Sequence, residues 1–249
     1  MSLTLYLIAG LFLPLFPLSM LFNQMFARLR HPWLRVLLLL AWPQIGVLLL
    51  SQAADPVPDW FAGWALLSAA FYAYRAIALR EVGLWIGYIA TSAWALLWIG
   101  VVEPSLHHLL ALGFSLPLAF TALLTGFLEQ RLGAAHTALG GGMAIAAPRF
   151  AGLFVVAVLA AVATPLFPNF FSLLATLLNP AALSPLFALG LVLIWLLWTW
   201  SGIRLLQGIV VGSPVRNGLQ DLSMTATWVY SAGFVGLLLI GINMGGVLL

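Results

Sequence analysis

Apolar residues run along this chain in blocks of roughly 20, the length a helix needs to cross a hydrocarbon core about 30 Å thick. Short polar stretches separate the blocks, which predict membrane helices near residues 3–22, 34–52, 60–79, 83–102, 106–128, 150–176, 184–206 and 224–247. The predicted fold is therefore all-α, a polytopic integral membrane protein of about eight transmembrane helices. The sixth block carries Pro165 and Pro168 within its apolar run. Each proline removes a backbone donor and clashes with the preceding turn, so the sixth helix is predicted to be interrupted there. A plain kink and a break lining a cavity both remain open. Pro43 in the second block and Pro117 in the fifth predict no more than bends.

The polar stretches alternate in charge. Arg28, Arg30 and Arg35 follow the first span, Arg75 and Arg80 the third, Arg131 and Arg149 the fifth, and Arg204 and Arg216 the seventh. The opposite connections hold Asp55, Asp59 and Glu103 and no arginine. Arginine-bearing short loops stay cytoplasmic, so a multi-pass protein of a bacterial-type inner membrane with both termini outward is expected. Trp33, Trp60, Tyr72, Tyr74, Trp198, Trp200 and Trp228 fall near span ends, where aromatic rings favour the headgroup level; they are expected to be interfacial anchors.

Composition agrees. Hydrophobic residues make up 64% of the 249 and charged residues 6%, against roughly 25% charged in soluble domains, and the mean hydropathy is +1.14. The absence of cysteine excludes disulfides, thiolate metal sites and thiol nucleophiles. The pI near 9.8 does not indicate nucleic acid as a partner, because nine arginines and no lysine are scattered singly. The first 22 residues lack a basic n-region and a small-residue cleavage site, so they read as a retained helix.

Candidate chemistry is sparse. None of the six acids lies at a span centre. Glu81 beside Arg80 and Glu129 near Arg131 are expected to be interfacial ion pairs. His107 and His108 stand at the outward end of the fifth span, where a histidine could pass protons near neutral pH. Neighbours on a helix point about 100° apart, which disfavours a shared metal. His31 and His136 lie in polar loops. Gly140, Gly141 and Gly142 lack the following Lys-Ser/Thr of a phosphate loop and read as a turn. No nucleophile, metal or dinucleotide motif is present, so no cofactor and no catalytic activity of its own are expected.

The order of segments carries a resemblance. A span ending in GFLEQRLGAAHT, a glycine-rich turn, GGMAIAAPRFAGLFVVAVLAAVATPLFPNFF and a span closing with WSGIRLLQGIVVGSPVR and DLS resemble the C-terminal half of the antiporter-like, proton-conducting subunits. Those subunits occur in respiratory complex I, Mrp antiporters, membrane-bound hydrogenases and related inorganic-carbon transporters. The resemblance covers residues 65–249 of a single transmembrane domain. Within it, YRAIALREVGLWIGYIATSAWALLWIGV is similar to a family span with a basic start and a Tyr-Ser-Ser-type core, here Tyr88, Thr91 and Ser92. Residues 1–52, with LFLPLFPLSMLFNQMFARLR, are similar to the family's opening hairpin. Family members ordinarily have about fourteen spans, which implies a missing central block.

The resemblance implies buried lysines, a nearby histidine, and a lysine or glutamate in the broken helix. At the matched positions this chain has Gly83, Leu118 with Phe114, and Leu173, all apolar. It therefore implies a membrane subunit of a complex I-like (NADH:quinone oxidoreductase-like) or inorganic-carbon-transport assembly, with other membrane subunits and the lipid bilayer as partners. In that assembly it would be a scaffold or coupling element that has lost the usual proton route. Gly46, Gly87, Gly152 and Gly190 would let partner helices approach closely. The alternative is a conducting subunit with a hydrated path of Tyr88, Thr91, Ser92, Thr164, Asn169 and Ser172, or of His107 and His108. A wet buried cavity would favour conduction, and a dry leucine-packed centre the scaffold.

Overall fold

The computed structural model describes residues 2–53, 57–99, 104–178, 184–213 and 219–248. Asp55, Glu103 and Arg216 lie outside them. The helices are α1 (Ser2–Phe12), α2 (Met20–Arg28), α3 (Pro32–Ser51), α4 (Asp59–Ala76), α5 (Val82–Ala95), α6 (Pro104–Leu132), α7 (Thr137–Gly140), α8 (Met143–Ala146), α9 (Pro148–Ala161), α10 (Pro168–Leu178), α11 (Pro185–Ile209) and α12 (Met224–Leu248). A 3-10 turn, Leu96–Trp98, extends α5. By length and composition α3, α6 from Leu106, α11 and α12 can each cross a membrane. The all-α membrane fold is as expected.

The interruption between Pro165 and Pro168 is present: α9 stops at Ala161 and α10 starts at Pro168. Ala163 and Leu166 take positive φ in between, a conformation L residues avoid and one that ends a helix. Pro43 and Pro117 stay inside continuous helices. The first span is a correction. It is not one helix but two, α1 and α2, separated around Pro14 and Pro17. Two prolines three residues apart act here as they do in the sixth span.

A broken helix frees backbone groups that lipid cannot satisfy. At the first break, Trp42 Nε1 donates to Leu11 O at 3.2 Å, Trp98 Nε1 to Leu13 O at 2.9 Å and Trp64 Nε1 to Phe16 O at 2.7 Å. The Phe16 amide donates to Ser68 Oγ at 3.0 Å. At the second, Asn169 Nδ2 donates to Ala161 O at 2.5 Å and Trp195 Nε1 to Ala163 O at 3.2 Å. Indoles therefore bind the loosened turns into the bundle. This corrects part of the aromatic-belt expectation: Trp198 and Tyr72 are buried, whereas Trp33, Trp60, Tyr74, Trp200 and Trp228 are exposed.

The arginine-bearing connections meet at one end of the bundle. The Val82 amide donates to Ala135 O and the Thr137 amide to Arg80 O, both at 2.9 Å, while the Gly142 amide reaches Val211 O at 3.2 Å. Asp221 caps the start of α9, accepting from the Arg149 and Phe150 amides at 2.9 and 3.1 Å. Three of the four glycines expected to admit partner helices serve internal packing instead. A Cβ at Gly46 would meet Leu13, one at Gly87 would meet Asn23 and Phe26, and one at Gly190 would meet Leu66; Gly152 faces open space.

Candidate functional site

Three clusters of interior polar groups stand out among the described residues. On α5, Gly83, Gly87 and Thr91 lie one turn apart along one face. Thr91 Oγ1 donates to Gly87 O at 2.7 Å, and Asn23 Nδ2 donates to Thr91 Oγ1 at 3.0 Å. Ser19, one turn before Asn23 on the same side of α2, joins Tyr72 OH at 2.7 Å. Tyr88, half-buried, packs edge-on against Tyr72 with ring centroids 5.2 Å apart. Ser92 is tied differently: it donates to Ala69 O at 2.7 Å and accepts from Trp198 Nε1 at 2.8 Å.

The second cluster is charged and lies at the arginine-bearing end. Arg35, 4% exposed, pairs through Nη1 with Glu129 Oε1 at 2.6 Å. Its Nε donates to Leu29 O at 2.7 Å, and its guanidinium lies 5.9 Å from the centroid of the Phe26 ring. One expectation is corrected here. Glu129 pairs with Arg35 across the bundle, and the Arg131 guanidinium reaches Gln220 at 3.1 Å. Gly83 lies beside this pair: a side chain there would begin 3.6 Å from the Arg35 guanidinium. The pair forms one wall of a cavity of about 680 Å³ lined also by Arg30, His31, Glu81 and Gln130. Glu81 lies in that wall, its backbone bridged to His136.

The third cluster surrounds α10. Asn169, Ser172 and Thr176 are buried along one stripe of the helix. Ser172 Oγ donates to Leu110 O at 3.1 Å and Thr176 Oγ1 to Ser172 O at 2.8 Å. Thr164 is half-exposed and bonds back to Leu159 O, so it does not join them. The histidines separate: His107 Nε2 meets Leu97 O at 2.7 Å, while His108 Nδ1 meets Gln44 Oε1 at 2.6 Å. They do not converge on a shared ligand. Phe114, Leu118 and Leu173 are buried.

The sequence reading missed Asn23, Gln44 and Arg35. Asn23 follows directly on the first apolar block and Gln44 lies inside the second, and an amide beside or within such a block is itself a signal of an internal partner. Arg35 follows Pro32, which opens α3, so it belongs to that helix and not to the loop before it.

The fold is a helical membrane bundle built around two interrupted helices, and solved structures share it. A chain of the respiratory complex I from Thermus thermophilus with bound NADH is 25% identical, with a TM-score of 0.84 over 98% of this chain and 55% of that one. A chain of the membrane-bound sulfane sulfur reductase, an archaeal respiratory membrane complex, is 18% identical, with a TM-score of 0.78 over 97% and 53%. A chain of the Mrp complex from Dietzia sp. DQ12-45-1b is 14% identical, with a TM-score of 0.77 over 98% and 56%. This chain spans about half the length of each. It shares their fold: that of membrane chains in a respiratory complex I, a membrane-bound sulfane sulfur reductase and an Mrp complex. The likeness takes in nearly the whole chain, α1 to α3 included. No protein-family model and no curated protein matches the sequence.

Proposed function

We propose that this chain is a membrane subunit of a complex I-like or inorganic-carbon-transport assembly, acting there as a scaffold or coupling element and not as a proton conductor. One observation carries the reading: the buried hydroxyls are engaged in direct hydrogen bonds to backbone carbonyls and to indoles. Thr91, Thr121, Thr125 and Thr176 bond back to carbonyls four residues earlier. Ser92, Ser115 and Ser201 accept from the indoles of Trp198, Trp94 and Trp85. A proton wire needs hydroxyls free to turn and exchange donors, and these are held. Phe114, Leu118 and Leu173 add apolar bulk at the positions where the resemblance implies charge.

A second reading, residual conduction, is favoured by the Arg35–Glu129 pair on the cavity wall and by the Asn23–Thr91 and Ser19–Tyr72 bonds beyond it. Proton flux separates the two. The purified chain in liposomes containing a pH-sensitive dye is expected to dissipate an imposed gradient no faster than an unrelated helical membrane protein. A saturable flux abolished by Glu129→Gln, or by alanine at His107 and His108, would overturn the scaffold reading. Partner membrane subunits should co-purify with the native chain in mild detergent.

A further inference from the structure

The cavity at the arginine-bearing end holds more charge than the fold uses. Two arginines and two carboxylates line it, and one of each is spent on the Arg35–Glu129 pair. Arg30, His31 and Glu81 are left, and among the described residues no hydrogen bond or ion pair engages their side chains. Arg35 itself is only partly spent. Nε serves Leu29 O and Nη1 serves Glu129, which leaves Nη2 and its N–H groups without an acceptor. Among the described residues, Asn169 Oδ1 is the enclosed side-chain polar atom that lacks a partner. Nη2, equally unpartnered on a side chain that is 5% exposed, is therefore open to the cavity that Arg35 lines. The start of α3 adds to this wall: His31 makes no side-chain bond to the first amides of the helix, and amides at the positive end of a helix favour an anion.

The cavity also lies at the ends of spans. Pro32 and Arg35 stand in the first turn of α3 and Glu129 and Gln130 in the last turn of α6, two helices long and apolar enough to cross a membrane. Trp33 beside them is 65% exposed, as a ring at the headgroup level is. A volume of about 680 Å³ is more than a bare ion needs and falls within the roughly 300–1,000 Å³ of small-molecule sites. A bare anion there would face Glu81, and a bare cation would face Arg30. A ligand carrying both signs satisfies both. We infer that this cavity seats the headgroup of a phospholipid with a primary ammonium, its phosphate on Arg30, His31 and the open side of Arg35 and its ammonium on Glu81. A primary ammonium can donate hydrogen bonds to a carboxylate and a quaternary one cannot. The inference goes beyond the scaffold reading and does not depend on it, because lipid retention and proton flux are separate measurements.

Native mass spectrometry of the full chain tests it, in mild-detergent micelles containing equal amounts of phosphatidylethanolamine and phosphatidylcholine with the same acyl chains. Phosphatidylethanolamine should be retained over phosphatidylcholine by about fivefold, the ratio that one ion pair at the edge of water supplies. Glu81→Gln should bring the two lipids to parity. Arg30→Gln should lower the retention of both by a similar factor. Neither variant removes a side-chain bond of the folded chain. Arg75→Gln, exposed and outside the cavity, should leave both unchanged. Glycerophosphoethanolamine, the same headgroup without its acyl chains, should not displace the lipid at equal concentration. Equal retention by the wild type, a preference that survives Glu81→Gln, undiminished binding by Arg30→Gln, or displacement by the soluble headgroup would overturn the inference.

Discussion

Glu129→Gln keeps the shape of the side chain and removes its charge, which isolates what the Arg35–Glu129 pair contributes. The Arg35 side chain is 5% exposed and that of Glu129 21%. With the carboxylate gone, the Leu29 carbonyl remains on Nε and the cation stays walled in by Phe26 and Gly83. Breaking a fully buried pair costs roughly 3–5 kcal/mol, because the surviving charge is stranded. Glu129 borders the cavity and water reaches its side, so about 2–4 kcal/mol is expected. Arg35→Leu should cost a similar amount. The double variant Arg35→Leu/Glu129→Leu should cost less than the sum of its single changes by at least about 1.5 kcal/mol, since pairs in contact couple. Arg131→Leu, an exposed control, should stay within about 1 kcal/mol. Unfolding by SDS titration into dodecylmaltoside micelles, followed through the fluorescence of the 11 tryptophans, measures all of these. Additive single variants, or a larger loss for Arg131→Leu than for Glu129→Gln, would refute the reasoning.

Three further outcomes are expected. Gly241 packs directly on the Leu166 carbonyl at the second break, so Gly241→Ala should destabilise by about 1–3 kcal/mol through overpacking. Gly236→Ala, with open space around it, should stay within about 1 kcal/mol or stabilise; the same SDS titration reads both. Trp98→Phe leaves the Leu13 carbonyl without its donor and should cost about 1–3 kcal/mol, with faster amide exchange at residues 13–19 as its local signature. Cysteines introduced next to Ser2 and Leu249, in a chain that has none of its own, should react with impermeant reagents from outside; reaction only after permeabilisation would reverse the topology.

What was legible in the sequence followed from length and sign. Apolar blocks of bilayer length and arginines confined to alternate connections were enough for the helices and for the end at which those connections meet. Pro165 and Pro168 disclosed the second break because they lie deep inside a block. Pro14 and Pro17 have the same spacing, yet the apolar residues around them allowed an unbroken reading of 3–22. The ion pair was harder to see. Glu129 is two residues from Arg131 in sequence and 94 from Arg35, and only the antiparallel packing of α3 on α6 brings the latter pair together. The buried tryptophans were hidden for a related reason. An indole has an apolar body and one donor, so nothing local separates a belt residue such as Trp200 from Trp198, which reaches Ser92 across 106 residues.

Two interrupted helices are a costly way to build a bundle, since each break sets carbonyls and amides loose where no water competes for them. In a conductor the expense has a direct use, because freed backbone and a buried charge can hold a hydrated path. Here no side chain between Val162 and Phe167 is charged, and defined hydrogen bonds hold both breaks. Trp42, Trp64 and Trp98 close the first and Asn169 and Trp195 the second. These residues come from helices on different sides of the breaks, so the breaks act as junctions that fix how α1–α2 sits against α3, α4 and α5, and how α9–α10 sits against α11. A straight helix would satisfy its own backbone and leave such indoles without acceptors. The interrupted geometry thus serves packing even without a charge to carry, which is the physical basis for treating this chain as a shaped structural element.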